Sequence, residues 1–469
     1  MVKGNSVARL GLEVGGGGLV GHGGLWLLGG FADRMGVGRD LSAVFGPSGV
    51  VHDRGTLLVH AMLMLAGGGE ACSDIEFLRS EPVVFGPVAS DSTLYRTMRG
   101  IGSEVRAGLA EAMSGVRRRV WDRFGGVEGV VLDIDSSVHE VHSENKEGAA
   151  ATYRRSFGFH PIYCFSDRTG ECLAVRLRAG NAAANDIGDH TDVLDRAIGG
   201  LPDVMGVGHR PGDDAGLVRR EVRVRADSAA GPGFAKECRR RNVGFSFVAR
   251  GANQIQDAIE RIGVDNPCWQ PAIESPPPGD GPPPQPRAWV ADLTDLVNTT
   301  KWPKGTRLIV RREPLHPGAQ RSLFPTLEWR YWGHWTDSHA PAPQADLDMR
   351  RHARIEGHIA RLKDSGANRF PFTNLAANQT WLTLVTWADA LVRWFQHLCL
   401  QDTHTSRKPD PKHCAGPCGT PPPGSYATPA APPYASPQPG PPAPSSPPPT
   451  NTGVAPLSWT VRDLLSTGW

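Results

Sequence analysis

The chain has 469 residues, room for roughly three units at the usual domain size and for a large buried core. Its 56 Gly and 41 Pro point to long loops or unstructured stretches, so part of the chain builds no packed core. With 50 basic against 48 acidic residues the net charge is +2, which excludes a polybasic nucleic-acid binder at the level of total charge; the positive residues are nearly all Arg.

Residues 1–50 are Gly-rich with short apolar pieces. Glu13 and His22 interrupt the N-terminal apolar stretch, which makes it a poor signal peptide. The longest apolar run, 57–66, contains His60 and is too short to cross a bilayer, so no membrane partner is expected. From about 56 to 122 the periodicity is helical, with helices over 57–65, 72–78, 91–98 and 104–124. Ser90 or Asp91 can cap the third of these, which then presents Thr93 and Arg96. Such short helices fit a helix-turn-helix-like DNA reader, and equally an ordinary small helical bundle.

Strand and helix alternate from 126 to 262. The apolar run 129–135 reads as a buried strand that ends in acid. Strands over 161–166 and 171–178 join through the turn Asp167-Arg168-Thr169-Gly170. A helix over 189–198, a strand of alternating Val and Arg over 219–226, a helix over 233–241 and a strand over 243–249 complete an α/β layer. Pro-rich sequence at 275–286 marks a boundary, and strands over 288–296 and 306–312 belong to a β-rich insertion reaching to about 335. Helices resume from 346: Ile355, Ile359 and Leu362 share one face, and Trp381, Leu384, Trp387, Leu391 and Trp394 follow helical spacing over 376–400. After about 403 Pro, Ser, Ala and Gly dominate, and a disordered tail is expected. The eight Cys show no paired framework, which suits a reduced, cytoplasmic setting; His413, Cys414 and Cys418 make at most half a metal site.

Three acids stand out by placement. Asp135 ends the first strand of the α/β region, Asp227 ends a later strand, and Glu356 lies on a helix after the insertion. Acids at strand ends can converge above a sheet, the usual place of an α/β active site. Three close carboxylates repel one another, and divalent ions relieve the repulsion; all-oxygen ligation suits Mg²⁺ or Mn²⁺. Two such ions support in-line attack on a phosphodiester. The bland alternative has such acids capping helices or lying in solvated loops. Arg clusters at 117–119, 239–241, 311–312 and 350–351 either line a phosphate path or sit on solvated faces. Trp302, Trp329, Trp332 and Trp335 either pack the insertion or hold an unstacked base.

Several motifs in order carry a resemblance. They are Val131-Leu132-Asp133-Ile134-Asp135-Ser136-Ser137-Val138, Lys146-Glu147-Gly148-Ala149, Phe157-Gly158-Phe159-His160-Pro161, Thr169-Gly170-Glu171, Arg178-Ala179-Gly180-Asn181, Arg225-Ala226-Asp227-Ser228, and the stretch from Ala353 to Asp364. The series resembles the DDE transposases of bacterial insertion sequences, in particular the insertion-sequence thirteen-eighty family, over roughly residues 15–400. The resemblance implies an α/β, RNase H-like mixed sheet flanked by helices and interrupted by the β-rich insertion. Its expected units are 1–122, mainly helical; 123–262, the first part of the core; 263–340, the insertion; 341–402, the closing helices; and 403–469, the tail. It implies a metal triad of Asp135, Asp227 and Glu356 holding two Mg²⁺ or Mn²⁺ ions, with Asp133 as the alternative acid. DNA contacts are expected from Lys363, His352, Arg361, Arg96 and Trp332. The partners implied are terminal inverted repeats, target DNA and a second copy of the chain, at the nucleoid. Met349 and His352 stand where the wider superfamily has Tyr and Arg, and the Pro-rich end is atypical, so an impaired DNA-binding derivative is one alternative. Another is a haloacid-dehalogenase-type phosphatase, with Asp133 as nucleophile, Asp135 as general acid and the pair Asp213 and Asp214 beyond.

Overall fold

The computed structural model describes residues 22–47, 51–124, 129–202, 222–227, 229–249, 253–273, 287–315 and 329–400. The expected tail, the Pro-rich linker and the Asp213–Asp214 pair lie outside them. Helices α1 (Gly23–Arg34), α2 (Val37–Phe45), α3 (Arg54–Ala66), α4 (Asp91–Gly100) and α5 (Ser103–Trp121) form the N-terminal layer. The first two arise in Gly-rich sequence where no helix is expected. Their glycines cost helix propensity, but Leu25, Leu28, Phe31 and Leu41 are buried, and packing overrides it. Helix α3 starts where the Asp53 side chain accepts from Thr56 N, and α4 where Ser90 accepts from Thr93 N, as its sequence predicts.

The strands are β1 (Val130–Ser136), β2 (His139–Glu140), β3 (Ala150–Ala151), β4 (Phe157–Phe159), β5 (Ile162–Ser166), β6 (Cys172–Arg176), β7 (Val222–Ala226), β8 (Gly244–Ala249), β9 (Gln270–Pro271), β10 (Trp289–Asp292), β11 (Arg307–Pro314) and β12 (Trp329–Thr336). Nine of them make one mixed sheet in the order β6-β5-β1-β7-β8-β12-β11-β10-β9. β1 runs antiparallel to β5 and parallel to β7, and β7 runs parallel to β8. Strand β12 pairs with β8, so β10, β11 and β12 extend the main sheet. They also have a cluster of their own, in which Leu308, Val310 and Trp335 pack with Ile255 and Ile259 of α8 (Asn253–Ile262).

A second, small sheet β2-β4-β3 was not legible beforehand. It forces two close approaches. A Cβ on Gly158 would stand 2.0 Å from the His139 carbonyl oxygen, and one on Gly180 would stand 2.3 Å from the carbonyl oxygens of Ala150 and Gly158. Two of the family-like motifs therefore carry glycine for steric reasons.

Helices α6 (Ile187–Gly199) and α7 (Pro232–Arg240) and the closing helices α9 (Ala342–Arg350), α10 (Arg354–Leu362) and α11 (Leu375–Cys399) flank the sheet. Helix α11 begins where Asn374 accepts from Ala377 N, packs on α3 and β6, and buries Trp381 and Trp394 completely. It thus joins the N-terminal layer to the sheet, and the Trp spacing marks core. No helix among the described residues is long and apolar enough to cross a membrane.

Candidate active site

Strand β1 carries two acids two residues apart, hence on one face. Their surroundings differ sharply. Asp133 is 2% exposed and pairs in register with Arg225 of β7. Arg225 Nε donates to Asp133 Oδ1 at 2.8 Å and Nη2 to Oδ2 at 2.6 Å. His352 Nδ1 bonds Oδ1 at 2.8 Å. Burial alone would raise the Asp133 carboxyl, but the bonds from His352 and Arg225 outweigh it and hold the group below the usual carboxylate range. An ionised carboxylate only accepts, so His352 donates to it through an Nδ1–H.

Asp135 is half-buried, and the charge of His352 draws its carboxyl down only weakly. Its Oδ1 accepts from Ser136 N at 2.7 Å. Burial and then the charge of Asp227 push its carboxyl up to about 6, with Glu356 adding to the rise. Asp135 and Asp227 each follow the last register pair of β1 and β7, Ile134 and Ala226. Asp227 Oδ1 accepts from Ala229 N at 2.9 Å, which fixes the turn after β7. Glu356 stands exposed in the first turn of α10, where a helix N-terminus favours negative charge. The fold thus brings the three acids into one electrostatic neighbourhood. Among the described residues, no group of three or more His, Cys, Asp or Glu is gathered tightly enough to hold a metal ion. The donor chemistry nonetheless fits a hard divalent cation: three carboxylates, oxygen only, one of them raised by burial and then by the charge of the others.

Beside the C-terminal end of β1 lies a cavity of about 850 Å³ lined by Val138, Glu140, Lys146, Arg154, Lys363 and Arg369, among others. Lys363 Nζ donates to the Val138 carbonyl at 2.8 Å, tying the end of α10 to the segment after β1. Burial, and then the charge of Arg154, lower its pKa. Lys146 caps the Phe370 and Phe372 carbonyls, and Glu147 accepts from Leu375 N at 2.9 Å. That motif docks its loop against the start of α11.

The other expected DNA contacts fall in different places. His352 is 8% exposed and bonded to Asp133, so it has a protein partner rather than an outward face. Arg361 is half-buried in the last turn of α10. Arg96 is exposed on α4, its Nη2 3.4 Å from Thr93 Oγ1. Trp332 is half-buried on β12, opposite Arg311 in register, with that guanidinium 5.8 Å from its ring centre.

Most of the expected phosphate-lining arginines are paired inside the protein. Arg117 bonds Glu171 at 2.9 Å with both side chains buried, Arg119 pairs with Asp40, Arg239 with Asp337, Arg241 with Asp195, and Arg311 and Arg350 both with Asp346. Arg312 lies over Trp269 and Trp329, at 4.4 and 4.6 Å from their ring centres. Trp302 stacks on Trp335 at 4.9 Å, as a packed insertion requires.

Sequence reasoning missed the buried ion cluster around Asp133. A signal existed: the alternating arginines of β7 lie on an apolar strand next to a strand with an acid in its middle. Since Arg225 and His352 occupy both oxygens of Asp133, this group is no free nucleophile, and the phosphatase alternative loses its first residue.

A family model described as transposase DDE domain group 1 matches residues 3–409. No curated protein matches the chain. Among solved structures, the cryo-EM structure of a piggyBac transposase synaptic complex with hairpin DNA is similar, at 10% identity over 85% of this chain and 79% of that one, with a TM-score of 0.38.

Proposed function

The chain belongs to the transposase DDE domain family, group 1, and from that membership we propose that it cuts and joins DNA at Asp135, Asp227 and Glu356. The observation that carries the assignment is the contrast between the two acids of β1. Asp133 is neutralised by its partners, whereas Asp135 is raised to about 6 by burial and by the charges of Asp227 and Glu356. A cation at these three carboxylates would relieve that repulsion. The strand order β6-β5-β1-β7-β8, with β7 and β8 parallel to β1 and to each other and the β5–β6 hairpin antiparallel, supports an RNase H-like core. In that reading the acids stand at the ends of β1 and β7, and α10 adds the third.

Two Mg²⁺ or Mn²⁺ ions held there would activate water or a 3′-hydroxyl and stabilise the leaving oxygen. Asp135 and Asp227 orient the site from the sheet, Asp135 accepting from the next N–H of β1 and Asp227 from an N–H of the turn after β7. Glu356 approaches from the helix side. Lys363, Arg154 and Lys146 line the neighbouring cavity and offer positive charge to a DNA backbone. The finer reading is an insertion-sequence transposase of the thirteen-eighty type that binds terminal inverted repeats, pairs two ends through a homodimer, and joins them to target DNA.

The DNA flanking the reading frame tests this. Inverted repeats bounded by a short target duplication are expected around its copies. Their absence around several copies contradicts transposition by this chain.

A further inference from the structure

The three candidate carboxylates sit on separate elements, and a single buried cluster joins those elements one step beneath them. Asp133 lies two residues before Asp135 on β1 and so shares its strand face, and Arg225 lies on β7 two residues before Asp227, which follows the strand. His352 lies one helical turn before Glu356, in the short turn Arg351–Ala353 that leads into α10. Arg225 grips both oxygens of Asp133, and His352 bonds Oδ1. Arg225 also reaches outward. Its Nη1 donates to the Asp348 carbonyl of α9 at 2.6 Å, and its Nη2 lies 2.8 Å from Asp167 in the β5–β6 turn. Asp133 and Arg225 are each 2% exposed, and His352 is 8% exposed.

Such a cluster is a poor source of net stability. The desolvation of buried charges offsets most of their attraction, and apolar side chains would pack two strands as well. Its distinctive property is geometric. A two-pronged Arg–carboxylate bond fixes distance and angle, and the imidazole bond fixes the helix turn against the strand. Nothing else in the chemistry of the site requires a histidine aimed inward at this position.

We propose that Asp133, Arg225 and His352 are positioning residues that hold Glu356 in place against Asp135 and Asp227, and so set the affinity of the site for divalent cations. The proposal rests on the reading of those three carboxylates as the metal-binding acids. His352 is the link between helix and sheet. His352→Asn retains an N–H near the position of Nδ1; His352→Phe keeps a ring and removes the donor.

Mn²⁺ binding to the full-length chain, followed by electron paramagnetic resonance or calorimetry without DNA, tests it. The wild-type chain and His352→Asn should bind with comparable affinity, and His352→Phe about 10- to 100-fold more weakly, the range for groups that orient metal ligands. Arg225→Lys keeps the charge but loses the fork, and should weaken binding in the same direction; it serves if His352→Phe does not fold. Wild-type Mn²⁺ affinity in a folded His352→Phe or Arg225→Lys protein overturns the positioning role. If the wild-type chain binds no Mn²⁺, or Asp135→Ala binds it undiminished, the assignment of the carboxylates fails instead.

Discussion

Replacing Asp135 with Asn should stabilise the metal-free protein while removing the proposed cleavage activity. The Asp135 carboxyl is raised from 3.8 to about 6, by burial first and by Asp227 next. At about 1.4 kcal/mol per tenfold change in proton affinity, ionising it in the folded chain costs about 3 kcal/mol, and solvent screening of a half-buried group reduces this to about 2 kcal/mol. The sign follows from linkage. A carboxyl raised on folding favours the folded state at low pH, and that advantage is lost as pH rises through about 6. Asn has no proton to lose. The stability difference between Asp135→Asn and the wild-type chain should therefore be near zero at about pH 4 and reach its full value above about pH 6. In chelator, thermal denaturation at about pH 8 should show a rise in Tm of roughly 2–5 °C for the variant. Added Mn²⁺ should raise the Tm of the wild-type chain and leave the variant nearly unchanged. A variant no more stable than wild type at the higher pH, or equally stabilised at both, refutes the electrostatic account of this site.

Other substitutions probe the frame around it. Glu171→Ala strips the buried Arg117 of its counter-ion and leaves Trp121 Nε1 without its 2.7 Å acceptor; a loss of about 3–5 kcal/mol in urea unfolding is expected, and a loss below 1 kcal/mol would be inconsistent with that burial. Gly158→Ala places a methyl 2.0 Å from the His139 carbonyl oxygen and should open the small sheet, read as faster amide exchange in β2 and β4. Lys363→Ala should weaken binding to DNA ends and make its salt dependence shallower by about one power of concentration; an unchanged salt slope argues against a phosphate contact.

The parts of the fold that were legible are those with strong local signals. The run ending at Asp135 is buried on one face and buried to half-buried on the other, so it reads as a continuous apolar strand. Ser90 and the Trp positions of α11 gave cap and period directly. Helices α1 and α2 stayed hidden because their glycines argue against helix, and only contacts with distant residues stabilise them. The continuity of β12 with β8 stayed hidden because pairing across more than 80 residues leaves no local trace. The arginines show the same limit from the other side. Runs such as 117–119 look like one cationic face, but helical geometry splits them: Arg117 points inward to Glu171 and Arg119 reaches Asp40. Among the motif residues, Glu147, Gly158, Glu171, Arg178 and Gly180 prove to hold loops and strands together, so much of the family-like pattern is scaffold. The candidate acids could be named from strand ends and motif order. The pairing of Asp133 could not be read that way, because its partners Arg225 and His352 lie 92 and 219 residues away from it.

The central claim is that Asp135, Asp227 and Glu356 together run metal-dependent DNA cleavage. It is tested most directly by incubating the purified chain with a DNA fragment carrying the element's own terminal repeat, in Mg²⁺, and resolving the strands on a denaturing gel. The wild-type chain should cut at the repeat boundary, and Asp135→Ala, Asp227→Ala and Glu356→Ala should each bind the same fragment without cutting it. Full Mg²⁺-dependent cleavage by any one of the three variants would contradict the account.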